Sequence, residues 1–154
     1  MPYKIDLTIE PPYKSRIAPA RLRAAARAAL KHQGAPEPGE LSVLITGDDA
    51  LRALNREFLG EDHATDVLSF PSTQIDPETG VRYFGDIALS YPQARAQAAQ
   101  GAHPVWAELQ LLIVHGVLHL LGHDHAEPAA HDRMWAAQSA ILKKLKVPLT
   151  GPAS

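Results

Sequence analysis

The stretch that decides the fold is VWAELQLLIVHGVLHLLGHDH, residues 105–125. From Val105 to Leu121 it is apolar nearly all round, which predicts a helix buried on every side and not an amphipathic surface helix. Residues four apart stand one above the other on a helix, so His115 and His119 present two imidazoles to one point. Gly122 permits the left-handed conformation that ends helices at little cost, and the chain then turns back to bring His125 to the same point. Three imidazole nitrogens on one centre make a zinc site of the catalytic type, with a fourth position open to water or substrate. The alternative is a hydrogen-bonded histidine network without an ion. Burying two imidazoles on a Leu/Ile/Val helix carries a desolvation cost unless something binds them, and a metal ion is the commonest such partner.

Outward from this helix the chain supplies a sheet and its cover. Ile5–Asp6–Leu7–Thr8–Ile9 alternates with a period of two and predicts a half-buried strand ended by Pro11 and Pro12. From about Ala18 to His32 the pattern predicts an amphipathic helix stopped by Gly34, with Leu22, Ala25, Ala26 and Leu30 on one side. Arg21, Arg23, Arg27 and Lys31 lie elsewhere on it; they either meet phosphates or are solvated, and solvation is the commoner meaning of such spacing. Glu40 to Thr46 predicts a strand, followed by a helix from about Ala50 to Phe58 with Asp48 or Asp49 as N-cap. Asp66 to Phe70 is a short strand closed by Pro71. Asp76, Pro77 and Gly80 mark a hairpin loop, and Phe84 to Ser90 is a strand broken by Pro92. An Ala- and Gln-rich helix to about Gln100 precedes a break at Gly101 to Pro104. A last helix, about Ala129 to Leu145, carries Met134, Ala137, Ile141 and Leu145 as packing residues. The expected class is α+β: one domain over residues 1–150, a small mixed β-sheet packed with about five helices around the metal helix, and a frayed tail at 151–154.

Composition narrows the chemistry. The chain has 154 residues and no cysteine, which removes thiolate zinc fingers, iron–sulfur clusters and cysteine nucleophiles. Neither an apolar leader nor a run of about 20 apolar residues is present, so a soluble cytoplasmic protein with no membrane partner is expected. Fifteen Lys plus Arg against 17 Asp plus Glu leave a net charge of -2, so attraction to nucleic acid must come from a local patch or a metal.

The spacing from His115 through His119 and Gly122 to His125 resembles the metal helix of the metzincin zinc proteases, in which a Glu follows the first His. Here Gly116 stands there, and a peptidase built on this helix lacks its general base. Three neutral imidazoles also leave the +2 charge of the ion uncancelled. That favours an anionic substrate such as a phosphodiester and lowers the pKa of a bound water toward ~7.

Together with Thr65–Asp66–Val67–Leu68–Ser69–Phe70–Pro71 and Gly85–Asp86–Ile87, the segment from His115 to His125 resembles the YbeY family of bacterial endoribonucleases and rRNA maturation factors. The resemblance runs from about Leu41 to His125. It implies a metal-dependent, single-strand-specific endoribonuclease acting at the 3′ end of small-subunit rRNA and in ribosome quality control. It also implies one Zn2+ on His115, His119 and His125, and ribosomal RNA, the small ribosomal subunit and ribosome-assembly proteins as partners. The family commonly has an arginine just before the glycine that precedes the TDVLSFP motif; here that position is Leu59, beside Gly60. Arg56, about one turn earlier and on one face with Arg52, is the candidate phosphate contact, the alternative being two ordinary surface charges. Asp124, Asp66 and Asp86 are candidates to accept the second N–H of a ligand histidine, Asp124 equally a turn residue, and Ser69 is a candidate groove residue. His123 is read as an exposed loop residue; His32, His63, His103 and His131 are read as surface residues. Trp106 and Trp135 are read as packing, with base stacking as the alternative for an exposed indole. Two further functions stay open: a metzincin-like metallopeptidase, and a non-catalytic ribosome-assembly factor with structural zinc.

Overall fold

In chain order the elements are β1 (Tyr3–Ile9), a short 3-10 helix (Pro11–Arg16), α1 (Pro19–His32), β2 (Gly39–Thr46), α2 (Asp48–Leu59) and β3 (Val67–Pro71). They continue with β4 (Arg82–Ser90), α3 (Tyr91–Gly101), α4 (Val105–Leu120) and α5 (Pro128–Leu145). The structure is a computed structural model that describes residues 2–149; the expected frayed tail at 151–154 lies outside the described residues. The four strands form one mixed sheet in the order β1-β2-β4-β3. β1, β2 and β4 run parallel, and β3 pairs antiparallel with β4 at the edge. This is the α+β arrangement that the periodicities predict.

Register decides which side chains meet α4. Val43 stands opposite Ile87, and Ile87 opposite Ser69, so these three share one face of the sheet. Ser42, Asp86 and Phe70 are likewise aligned and point to the other face. The main core lies on the first face, where Ile5, Leu41, Val43, Ile45, Ile87 and Leu89 pack against α1, α4 and α5. A smaller cluster of Leu51, Leu68 and Ala88, with Leu54 and Phe70 against it, holds α2 on the second face.

Within α4 only Val105, Trp106, His115 and His119 are half-buried, and every other residue is buried. The helix has no polar side to turn to water, so sheet and helices cover it all round. Leu109, Ile113 and Leu118 are nearly inaccessible, and each contributes about 1.5–3 kcal/mol by leaving water. Three of the basic residues of α1 are engaged by the protein itself, while Lys31 is exposed. The Arg21 guanidinium lies 3.8 Å above the Trp106 ring, and Nε of Arg23 and Arg27 donates to the carbonyls of Ile5 (3.4 Å) and Tyr3 (3.3 Å), tying α1 to β1 and α4.

One local expectation, the N-cap of α2, is corrected, and two strand ends gain detail. The Pro11–Pro12 pair ends β1 but also starts the 3-10 helix, because proline suits a first helical turn. The N-cap of α2 is Gly47 without a side-chain bond, and neither Asp48 nor Asp49 takes that role. Instead Asp48 Oδ1 accepts from the Ser90 hydroxyl at 2.7 Å. β4 ends at Ser90, ahead of Pro92, as expected, and Ser90 accepts from the Gln93 N–H and caps α3 directly.

Candidate metal centre

The last turn of α4 builds the site. His115 and His119 are one turn apart, with Nε2 atoms 3.1 Å from each other. Helix α4 ends in a paired closure: the Gly122 N–H donates to the His119 carbonyl (3.1 Å) and the His123 N–H to the Leu118 carbonyl (2.9 Å). Gly122 has a φ of +98°, a conformation that side-chain-bearing residues rarely adopt. The reversal carries His125 back over the helix end. Ligand atoms of His115, His119 and His125 all lie within 4.8 Å of one another.

The chemistry of these nitrogens suits a cation. His115 Nδ1 donates to the Gln138 amide oxygen at 3.0 Å, which leaves its Nε2 as a lone pair aimed at the centre. Two Nε2 atoms then face each other across 3.1 Å, an arrangement that either a single shared proton or a positive ion between them relieves. Burial pushes the His119 pKa down to about 4, reinforced by the neighbouring His115 and His125. Burial likewise lowers that of His115, against the opposing effect of the hydrogen bond it donates to Gln138. His115 and His119 are therefore neutral near pH 7, the state in which an imidazole binds a metal. No carboxylate belongs to the group. The donor set fits a divalent ion of borderline softness with an open position.

Gly116, where the metzincin proteases carry their glutamate, faces the sheet: a Cβ added there would meet Ile87 side-chain atoms at 3.0–3.3 Å, a tight fit that Ile87 would have to yield to by a few tenths of an ångström. The Gly116 carbonyl accepts from the Ser69 hydroxyl at 3.2 Å, which pins β3 to the metal helix. Ser69 thus acts on the backbone beside His115.

The remaining candidates are spread more widely. Asp124 Oδ1 accepts from the backbone N–H groups of His125 (2.7 Å) and Ala126 (3.2 Å), so it shapes the turn that presents His125 and bonds no ligand ring. Asp66 accepts from Gln97 Nε2 at 3.1 Å, and its charge reaches His115 only as a weak influence. Asp86 points to the opposite sheet face and is held by the Tyr83 hydroxyl. The expected partner role of these aspartates falls to Gln138, on α5. Arg56 is exposed at the end of α2, while Arg52 is committed to Asp62 at 2.8 Å. Leu59 is exposed as well.

Of the other histidines, His32 and His63 are exposed as expected. His123 is drawn inward, with Nε2 donating to Gln33 Oε1 at 2.7 Å. His103 is not a surface residue: its side chain is 7% exposed and lies 2.6 Å from buried Glu108. Trp135 is half-buried, with ring centroids 5.9 Å from His115 and 6.0 Å from His125, and His131 stacks on it. Gln138 went unnoticed in the sequence. Its signal was a polar residue between Ala137 and Ile141 on an otherwise apolar helix face, where it is fully buried.

Comparison with known proteins agrees with this geometry. The family model described as Endoribonuclease YbeY matches residues 12–146. A relative from Roseiflexus sp. (strain RS-1), named Endoribonuclease YbeY, is 40% identical over 147 residues, covering 92% of this chain and 92% of its own. Another of that name from Dehalococcoides mccartyi (strain CBDB1) is 36% identical over 155 residues, covering 93% of each chain. A third, from Chloroflexus aurantiacus (strain ATCC 29366 / DSM 635 / J-10-fl), is 46% identical over 130 residues, covering 80% of this chain and 84% of its own. A Thermotoga maritima protein solved in solution has the same fold, with a TM-score of 0.61 at 23% identity over 92% of this chain and 88% of its own. The chain belongs to the YbeY endoribonuclease family.

Proposed function

We propose that this protein is a zinc-dependent endoribonuclease that cuts single-stranded RNA, acting in maturation of the small-subunit rRNA 3′ end and in ribosome quality control in the cytoplasm. The observation that carries the reading is the convergence of three imidazoles within 4.8 Å, with no carboxylate in the group among the described residues. Membership of the family supports the substrate class. A zinc ion on His115, His119 and His125 supplies a Lewis acid with undiminished charge, suited to a phosphodiester. Gln138 fixes the His115 tautomer, Gly122 and Asp124 set the turn that delivers His125, and Ser69 holds the backbone between His115 and the sheet. Arg56 is the phosphate contact in this reading, since Arg52 is already paired and Leu59 offers no charge. The small ribosomal subunit and ribosome-assembly proteins are the partners that such a substrate entails. Gly116 speaks against peptide hydrolysis, because it supplies no acidic side chain as general base at the position that follows the first histidine.

The test is metal analysis of the purified protein followed by incubation with labelled single-stranded and duplex RNA, with His119→Ala as control. Zinc in the wild-type protein, cleavage of the single strand alone, and loss of both in His119→Ala are expected. Zinc without cleavage under any condition, accompanied by unfolding on chelation, would establish a structural ion instead. Cleavage of casein would establish a peptidase.

A further inference from the structure

We infer that His131 and Trp135 form a platform for one unpaired nucleobase beside the metal centre, a subsite that rests on the single-stranded RNA reading above. The two residues are four apart on α5 and share a face. Their rings lie 4.2 Å apart at an interplanar angle of 18°, a parallel stack. The indole meets His115 and His125 nearly at right angles, at 90° and 86°, so the stack abuts two of the three ligand imidazoles. It begins at the half-buried indole and ends in the His131 ring, whose side chain is 45% exposed. Core packing does not account for an aromatic ring left open to water on the outer end of a stack.

The surrounding charges select a base over a phosphate. Asp132 Oδ1 lies 3.5 Å from His131 Nδ1 and its side chain is 83% exposed, so a phosphate drawn onto the His131 ring would meet a carboxylate. A nucleobase is neutral, has a π-face in every sequence, and stacks on histidine as on other aromatic rings. A base within a duplex is already stacked on its neighbours and is not available to this surface. The platform thus favours single strands without reading sequence, and it positions a nucleotide flanking the phosphate that faces the trio.

The experiment compares wild type, His131→Ala and His131→Tyr on a single-stranded oligoribonucleotide and on the same oligomer with abasic positions around the cleavage site. Binding is followed by indole fluorescence in a Trp106→Phe background, and cleavage by initial rates. In His131→Ala, KM and Kd for the intact oligomer are expected to rise about 10-fold, with kcat and zinc content unchanged. His131→Tyr should restore binding, and the abasic oligomer should bind wild type and His131→Ala equally weakly. Unchanged affinity in His131→Ala, or an equal loss on intact and abasic oligomers, would overturn the platform. An intact oligomer that quenches Trp135 and discriminates the variants, yet is never cut, would support the platform and defeat the nuclease reading. Cleavage that is indifferent to His131 would do the reverse.

Discussion

The two ends of α4 hold histidines in opposite company. Near the N-terminal end His103 Nε2 lies 2.6 Å from Glu108 Oε1, with the two side chains 7% and 4% exposed. A ring N–H meets a carboxylate, while the opposite ring nitrogen, Nδ1, is buried without a hydrogen-bond partner. At the C-terminal end His115, His119 and His125 face one another with an amide behind them and no carboxylate in the group. What separates a structural histidine from a candidate ligand is therefore whether further imidazoles converge on its free ring nitrogen. Carboxylate and amide oxygen alike accept one ring N–H and leave the opposite nitrogen a lone pair; at the C-terminal end three such rings converge on one point, whereas His103 stands with Glu108 alone.

The contrast breaks most sharply at its C-terminal end. His119→Ala should lower zinc affinity and RNA cleavage by about 100-fold or more while the protein stays folded, because losing a ligand exceeds the ~10–100-fold effect of losing a ligand's partner. Zinc titration and initial rates measure it. Gln138→Leu removes only that partner, and a drop in zinc affinity of about 10-fold is expected, with a smaller change in melting temperature. An unchanged affinity would mean that the amide does not set the His115 tautomer.

At the N-terminal end the expected signature is inverted. His103→Ala should cost about 1–3 kcal/mol of stability by stranding the buried Glu108, seen in denaturant unfolding, and leave zinc affinity unchanged. Loss of metal in this variant would erase the distinction between the two ends.

The smallest effects lie in the pH dependence of the metal-free protein. The folded-state pKa of His119 is pushed below its ordinary 6.5 to about 4, by burial first and then by His115 and His125. The unfolded chain therefore binds more protons in that range, and the contribution of His119 is complete above pH 6.5 and lost as pH falls toward 4. Glu108 runs the other way. Burial raises its pKa against the pull of His103, so its net contribution is present below the ordinary value of 4.5 and declines as pH rises through the raised one. Melting temperatures across this range should flatten on the acid side in His119→Phe and lose the opposing trend in Glu108→Gln.

Much of this was legible in the sequence, for local reasons. Period-two strands, the all-round apolar α4 and the four-residue step from His115 to His119 depend on backbone geometry alone, and Gly122 marks the turn that returns His125. Features that depend on distant segments meeting were not legible. Gln138 lies 23 residues from His115, and nothing in its neighbours marks the imidazole it will meet. His103 is close to Glu108 in sequence, but only the tight turn between α3 and α4 folds it inward. The aspartates of the motifs pointed to a carboxylate behind the ligands; sheet register turned Asp86 away, and Asp124 is taken up by its own turn. His131 and Trp135 read as surface and packing residues because stacking beside the ligands depends on where α5 docks.

The most direct test is the zinc content at pH 7 of three purified proteins: wild type, His119→Ala and His103→Ala. Zinc bound by wild type and His103→Ala in equal amount, and absent from His119→Ala, is the expected result. Zinc retained by His119→Ala, or lost from His103→Ala in a folded protein, would contradict the assignment of the metal centre to the C-terminal end of α4.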